Sequence, residues 1–210
     1  MRYLKNNTRF FIAVLLLFLN SFTYAQHSGM DMEVKKSNTK ENIYLAMMDT
    51  MMINMDTVKM NRYADLDFMR MMIPHHQGAI EMSLYEIKHG RNFEMKQLAK
   101  SIIAEQNIEI DQMGFWVKHF DSKKAMSTDK YKEPLIQIMA VMMEYMPDAD
   151  LLINTDKSFA AVMIPHHQAG VDMAKVILQF GDDKIVSRMA ENIISSQQVE
   201  IEQMKSFLKK

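Results

Sequence analysis

The chain has 210 residues, a formal net charge of −1 and no cysteine. These numbers exclude a disulfide-stapled scaffold, and because no long basic run is present we expect no nucleic-acid partner. Glycine and proline are scarce, at six and four residues, so the composition favours long helices over turn-rich β structure, with one domain as the default at this length.

Residues 1–25 have the pattern of an export signal. Basic residues precede an almost wholly apolar run over residues 10–19, and Ala25 ends a usable cleavage site. The apolar run is shorter than the roughly 20 residues that a membrane-spanning helix needs, and an uncleaved anchor is the alternative. We therefore expect cleavage before Gln26, no membrane span afterwards, and a periplasmic or secreted protein.

Residues 26–40 form a polar tail that we expect to be disordered. His27, Met30 and Met32 lie in this tail, close to the start of the mature chain. Because imidazole and thioether groups bind soft metals, the tail is a weak candidate for metal capture.

The methionine count is the most unusual feature of the composition. Beyond Ala25 there are 23 methionines and only nine leucines, although leucine has better-defined rotamers for core packing. Thioethers are soft ligands that select Cu(I), and unlike thiolates they are not lost to disulfides in an oxidising compartment. An adaptable methionine-rich core is the plainer alternative.

Two repeats, residues 41–120 and 134–210, make up the rest of the chain, with a linker at residues 121–133. The sequence Met-Ile-Pro-His-His-Gln at 72–77 recurs at 163–168, and matching residues continue on both sides at the same spacing without a gap. Matching positions record what both copies retained, which is stronger evidence than a single motif.

Three helices are predicted in each repeat from the helical spacing of apolar residues. The first helix of each repeat is short and Met-rich and is predicted at 41–60 and at 134–146. The second is predicted to run from an N-cap at Asp65 to Gly90 in the first repeat and from an N-cap at Asp156 to Gly181 in the second. The third is predicted at 92–120 and at 182–208. Four long helices and two short ones predict an all-α fold, an antiparallel four-helix bundle with pseudo-twofold symmetry.

Methionines line one face of each short helix. They are Met47, Met48, Met51 and Met55 in the first repeat and Met139, Met142, Met143 and Met146 in the second. Each face is either the packing face of an amphipathic helix or a source of thioethers that complete a metal site.

The histidine pairs of the second helices are the candidate metal site. On a helical wheel His75 and His76 straddle Met72, and both side chains can point into the bundle. The third helix places Gln106 and Glu109 on an apolar face, where buried polar groups need partners. The predicted ligands are His75, His76, His166, His167, Met72, Met163, Met82 and Met173. The side chains predicted to surround these ligands are Gln106, Glu109, Gln197, Glu200, Met113 and Met204. We expect the two glutamates to orient the imidazoles.

The residue types favour a soft metal. Di-iron bundles use a Glu-x-x-His motif, whereas Met72 and Met163 stand three residues before His75 and His166 and offer sulfur in place of a carboxylate oxygen. This change moves the preference from iron towards Cu(I), with Ag(I) as the alternative ion. Zinc is less favoured because cysteine and the His-Glu-x-x-His motif are absent.

A longer pattern extends these motifs in both repeats. It reads Asp-x-x-Phe-x-x-x-Met-Ile-Pro-His-His-Gln, then Ala-x-x-Ile-Ile, then Gln-x-x-Glu-Ile-x-x-Met, and it covers about residues 65–113 and 156–204. The pattern resembles the bacterial "domain of unknown function 305" family. The resemblance implies a ferritin-like helical bundle. It also implies copper binding, because the family includes CopM-type exported copper-binding proteins.

We therefore expect an exported Cu(I)- or Ag(I)-binding protein for copper tolerance, storage or delivery, with metal ions as its ligands and copper-export or copper-delivery proteins as partners. The sequence contains no separate catalytic nucleophile or phosphate loop, so we do not expect an enzyme. Two alternatives stay open. One is a ferritin-like metal-dependent oxidase that uses His and Glu. The other is a helical interaction module whose methionine surface docks a partner helix.

Overall fold

The structure, a computed structural model, describes residues 42–123 and 126–210, so the predicted export signal and tail lie outside the described residues. Its helices are α1 (Ile43–Asp56), α2 (Ala64–His89), α3 (Phe93–Lys118), α4 (Lys132–Glu144), α5 (Thr155–Phe180) and α6 (Lys184–Leu208). Two short 3-10 turns lie at Asp129–Tyr131 and Ala149–Leu151. Within these ranges there is no strand, and no helix is long and apolar enough to cross a membrane. The prediction of an all-α bundle with four long and two short helices is confirmed.

Helices α2 and α5 form the central pair of the bundle and run antiparallel, because the start of each lies beside the end of the other. The Asp156 carboxylate, at the start of α5, accepts hydrogen bonds from the backbone N–H groups of Arg91 and Asn92 after α2, at 2.8 and 2.7 Å. The Asp65 carboxylate, at the start of α2, likewise accepts from the N–H of Asp182 after α5, at 3.1 Å.

The prediction that Asp65 and Asp156 are N-caps is wrong. Helix α5 is capped by Asn154, whose side chain accepts from the N–H of Lys157 at 2.9 Å, and α2 begins after Tyr63 without a side-chain cap. Both aspartates lie inside the first helical turn and bind the opposite repeat instead. An N-cap assignment from sequence considers only local partners, whereas these carboxylates have tertiary ones.

The glycines that end α2 and α5 are required by close approach of side chains. A Cβ atom at Gly90 would lie 2.1 Å from Oε1 of Glu86, and one at Gly181 would lie 2.5 Å from Oδ1 of Asp65. Any larger residue at these two positions would therefore displace a carboxylate. The predicted ends of α2 and α5 at the two glycines agree with the structure.

Helices α3 and α6 fold back onto α2 and α5 through short loops, while α1 covers α2 and α4 covers α5. Helices α3 and α6 approach each other at only a few places. The two short helices end earlier at their C-termini than predicted, α1 at Asp56 and α4 at Glu144. The tandem repeats thus form one bundle whose α3 and α6 faces lie next to each other.

Methionine fills much of the core. Fully buried methionines include Met48, Met69, Met72, Met82, Met113, Met163, Met173 and Met204. In the short helices, the predicted faces are buried or half-buried against the long helices. Tyr131, from the segment between the repeats, is also fully buried, and its hydroxyl donates to the Asp67 carboxylate. The segment between the repeats therefore contributes to the core.

Candidate metal centre

The four histidines of the two motifs lie together where α2 and α5 cross. All four side chains are fully buried, and the ring centroids of His75 and His166 are 3.9 Å apart. Within the pairs, the centroids are 6.2 Å apart for His75 and His76 and 5.7 Å apart for His166 and His167. Both helices continue through the prolines that precede these pairs. The pseudo-twofold axis thus passes between two imidazoles whose planes are tilted by 31°.

Each outer histidine is bonded to a glutamate of the neighbouring long helix. Nε2 of His76 lies 2.8 Å from Oε2 of Glu109 on α3, and Nε2 of His167 lies 2.8 Å from Oε2 of Glu200 on α6. A carboxylate can only accept a hydrogen bond, so each Nε2 is the donor. A neutral imidazole protonated at Nε2 keeps a lone pair at Nδ1, and the glutamates thereby select the tautomer.

His166 has the same tautomer for a different reason. Its Nε2 lies 3.1 Å from the backbone carbonyl oxygen of His75, which can only accept, so Nε2 again carries the proton. The Nδ1 atoms of His166 and His167 lie 3.4 Å apart, and in the neutral, metal-binding form of His167 both present lone pairs to the space between them. Metal–nitrogen bonds to histidine are about 2.0–2.1 Å long, so one ion can reach both atoms.

The first repeat presents unpartnered nitrogens as well. Within the described residues, neither ring nitrogen of His75 has a hydrogen-bond partner, and neither does Nδ1 of His76. Burial lowers the pKa of both His75 and His166 well below the usual imidazole value, and the neighbouring imidazoles lower it further. Both rings are therefore neutral, which is the form that binds metals.

Two glutamines, Gln106 on α3 and Gln197 on α6, are buried, and within the described residues neither amide group has a hydrogen-bond partner. Gln197 packs closely against Gly170, where an added Cβ would lie 2.5 Å from Oε1 of Gln197 and 3.3 Å from Cε1 of His75. So many unpaired polar atoms in a core are costly unless a ligand or water satisfies them.

Gly170 lies at the centre but is not among the predicted site residues. A glycine inside a helix costs about 1 kcal/mol relative to alanine, and the matching position in the first repeat is Ala79. A helix-interior glycine next to the His pair was therefore a usable signal. The structure shows that it makes room for the Gln197 amide beside His75.

The six predicted methionines are all fully buried in the core that contains the histidines; they are Met72, Met82, Met113, Met163, Met173 and Met204. Among the described residues, no three side chains of the types His, Cys, Asp and Glu surround a common point. A metal ion with more than two ligands at this centre would therefore draw on thioether sulfur. The donor set of neutral imidazoles and thioethers fits Cu(I) and Ag(I).

The family model of DUF305, described as a domain of unknown function, matches residues 19–117 and 65–208. The chain belongs to the DUF305 family. CopM in its Ag-bound form is 31% identical with a TM-score of 0.54, and the alignment covers 71% of this chain and 97% of CopM. CopM in its Cu(I)-bound form is 32% identical with a TM-score of 0.53, covering 69% and 95%.

Two further relatives extend the comparison. A DUF305 protein of Streptomyces coelicolor, which carries the name of a secreted protein, is 25% identical with a TM-score of 0.53, and the alignment covers 70% of this chain and 92% of that protein. An uncharacterised protein of Acanthamoeba polyphaga mimivirus is 42% identical over 53 residues, or 25% of this chain. The match spans only 35% of that viral protein.

Proposed function

We propose that this DUF305 protein is an exported copper-binding protein that holds Cu(I) at the crossing of α2 and α5, with Ag(I) as an alternative ion. The observation that carries the proposal is the pair of Nδ1 atoms of His166 and His167. They face each other at 3.4 Å while both Nε2 atoms are engaged as donors. Structures of CopM with silver, Cu(I) and Cu(II) bound support copper as the metal.

Each ion at this centre would be held by at most two of the buried imidazoles together with thioethers. The proposed ligands are His75, His76, His166, His167, Met72, Met82, Met163 and Met173. Such soft ligands favour Cu(I) over Cu(II) and would keep the ion from redox cycling. Glu109 and Glu200 fix the ring orientation, as outer carboxylates commonly do for metal-binding histidines.

The biological role proposed is copper tolerance, storage or delivery, without catalysis. The pattern of residues 1–25 supports export to the periplasm or beyond. Copper-export or copper-delivery proteins are the partners that such a role implies. A di-iron oxidase would use carboxylates as main ligands, whereas Glu109 and Glu200 engage the imidazoles at Nε2, on the ring edge away from Nδ1.

An anaerobic competition titration with a coloured Cu(I) chelator tests the proposal. We compare the wild-type protein with a variant in which all four buried histidines become alanine, after circular dichroism has verified that the variant is helical. A matched control changes the two exposed histidines, His89 and His119, to alanine. We expect tight binding by the wild type and the control, and an affinity at least about 100-fold lower in the buried variant.

Three outcomes would contradict the proposal. Binding that is unchanged in a folded variant without the four buried histidines would make them polar core residues. Oxygen consumption during turnover of Fe(II) or Cu(I) would instead indicate an oxidase. If no metal binds, the methionine-rich helices are better explained as an interaction module.

A further inference from the structure

A metal ion can reach the buried imidazoles only through an opening between the helices, and the two sides of the bundle differ in the side chains that line them. Helices α1 and α4 cover α2 and α5 with apolar side chains, largely methionine. On the other side, α3 and α6 touch at only a few places, and two cavities of about 270 and 460 Å³ lie between them. This gap, which we call the α3/α6 groove, is lined by side chains of both helices.

The walls of the α3/α6 groove carry acidic and polar side chains among apolar ones. Glu105, Asn192 and Ser196 line both cavities, and among the described residues no lysine or arginine lines either of them. Glu105 is exposed, and its Oε1 accepts a hydrogen bond from the Ser101 hydroxyl at 3.1 Å. The lining therefore attracts cations, and low-dielectric walls concentrate the field of such carboxylates inside a cleft.

The floor of the groove is formed by the two glutamates that hold the imidazoles. Glu109 lines the smaller cavity and bonds His76, while Glu200 lines the larger cavity and bonds His167. The side chain of Glu109 is 17% exposed, whereas that of His76 is fully buried. Oε1 of Glu200 is buried and has no partner within the described residues. Each carboxylate thus connects a cavity with a buried ring.

We propose that the α3/α6 groove is the entrance through which a soft metal cation reaches the buried imidazoles, with Glu105 as the residue that attracts it at the surface. The inference rests on the proposed copper binding and adds a route and a capture residue. The carboxylate of Glu105 is hydrogen-bonded to Ser101, whereas the imidazoles are bonded to Glu109 and Glu200, so the role we assign to Glu105 is to speed association. The carboxylates of Glu109 and Glu200 provide the last oxygen atoms along the route, next to the imidazoles.

Rates of Cu(I) transfer test the entrance. We measure uptake from a Cu(I)–chelator complex by stopped flow, under anaerobic conditions, together with the equilibrium affinity. Two variants alter the groove: Glu105→Gln removes charge, and Ser196→Arg adds bulk and a positive charge. The control is Glu191→Gln, an exposed glutamate of α6 that lines neither cavity. Circular dichroism and thermal melting verify that each variant is folded.

We expect Glu105→Gln to slow association about threefold or more at low ionic strength, with a smaller effect at high salt because salt screens exposed charges. Ser196→Arg should slow association at least about tenfold, and the control should match the wild type. Equilibrium affinity should stay within about threefold of wild type in Glu105→Gln.

Wild-type rates in both groove variants would overturn the entrance while leaving the copper proposal standing. A loss of affinity in Glu105→Gln that clearly exceeds its loss of association rate would mean faster dissociation and would make Glu105 a ligand, which also overturns the inference. A wild-type protein that takes up no Cu(I) at all overturns both proposals.

Discussion

Replacing Gly170 with alanine tests how tightly the centre is packed. The added Cβ would lie 2.5 Å from Oε1 of Gln197 and 3.3 Å from Cε1 of His75. Both neighbours are buried, and within the described residues the Gln197 amide has no hydrogen-bond partner. The amide must therefore move against other core atoms. Overpacking of this kind typically costs about 1–3 kcal/mol.

A second glycine provides the matched control. Gly114 lies inside α3, is exposed, and a Cβ there would meet no atom within 4 Å. Both substitutions gain the same helix propensity, about 1 kcal/mol. The difference in unfolding free energy between Gly170→Ala and Gly114→Ala therefore isolates the packing cost. For a domain of this size, about 1–3 kcal/mol corresponds to a difference in melting temperature of roughly 2–12 °C.

Thermal and urea unfolding of the metal-free protein measure this difference. Gly114→Ala should be more stable than wild type, and Gly170→Ala should be clearly less stable than Gly114→Ala. Equal stability of the two variants would refute the argument, because it would mean that the Gln197 amide moves freely. Gly170→Ala should also weaken Cu(I) binding, since the displaced amide would press on His75.

Three more predictions concern buried polar groups. Glu109→Gln and Glu200→Gln should each weaken Cu(I) affinity about 10- to 100-fold in competition titrations, because a neutral amide can turn either its oxygen or its NH2 group towards Nε2 and no longer fixes the imidazole tautomer; unchanged affinity would count against that role. Burial, followed by a shared hydrogen bond with Asp156, raises the pKa of Glu86 to about 7 from 4.5. The Glu86 carboxyl ionises at a lower pH in the unfolded chain than in the folded protein. Its contribution to the unfolding free energy is therefore fully present below pH 4.5 and is lost as the pH rises to about 7. Urea unfolding should show this loss, on the order of 2 kcal/mol, in wild type but not in Glu86→Gln. Tyr131→Phe leaves the buried Asp67 carboxylate without one donor and should lower the unfolding free energy by about 1–3 kcal/mol, an effect that equal melting curves would contradict.

The helices and their pairing were predictable because they follow from periodicity and duplication. The spacing from Ile102 to Gln106 and Glu109 places the two polar residues on an apolar face, so a buried partner on the neighbouring helix was expected. The structure brings Glu109 to His76 and, 91 positions on, Glu200 to His167. Residues that both copies retain thus predicted the helical bundle and the contact between each outer histidine and a glutamate.

Features that differ between the repeats, or that need tertiary contacts, were not predictable in the same way. Tyr131 lies in the segment between the repeats and has no signature of burial in the sequence, yet its hydroxyl binds a core carboxylate. The caps expected at Asp65 and Asp156 failed because loops of the opposite repeat compete for the same oxygens. Tautomers depend on partners in space, so the open nitrogens of His75 could not be deduced from the motif.

The hydrogen bond from His166 to the carbonyl of His75 has no counterpart in the other direction. Two identical chains related by an exact twofold axis could not sustain this arrangement, because symmetry would force both imidazoles into the same state. Covalent fusion of the repeats removes that constraint. One half of the centre keeps an imidazole held at Nε2 with only Nδ1 open to a metal, while the other keeps an imidazole with no hydrogen-bond partner at either nitrogen within the described residues. Metal loading of the two halves would then be stepwise, with an inequivalent first and second event.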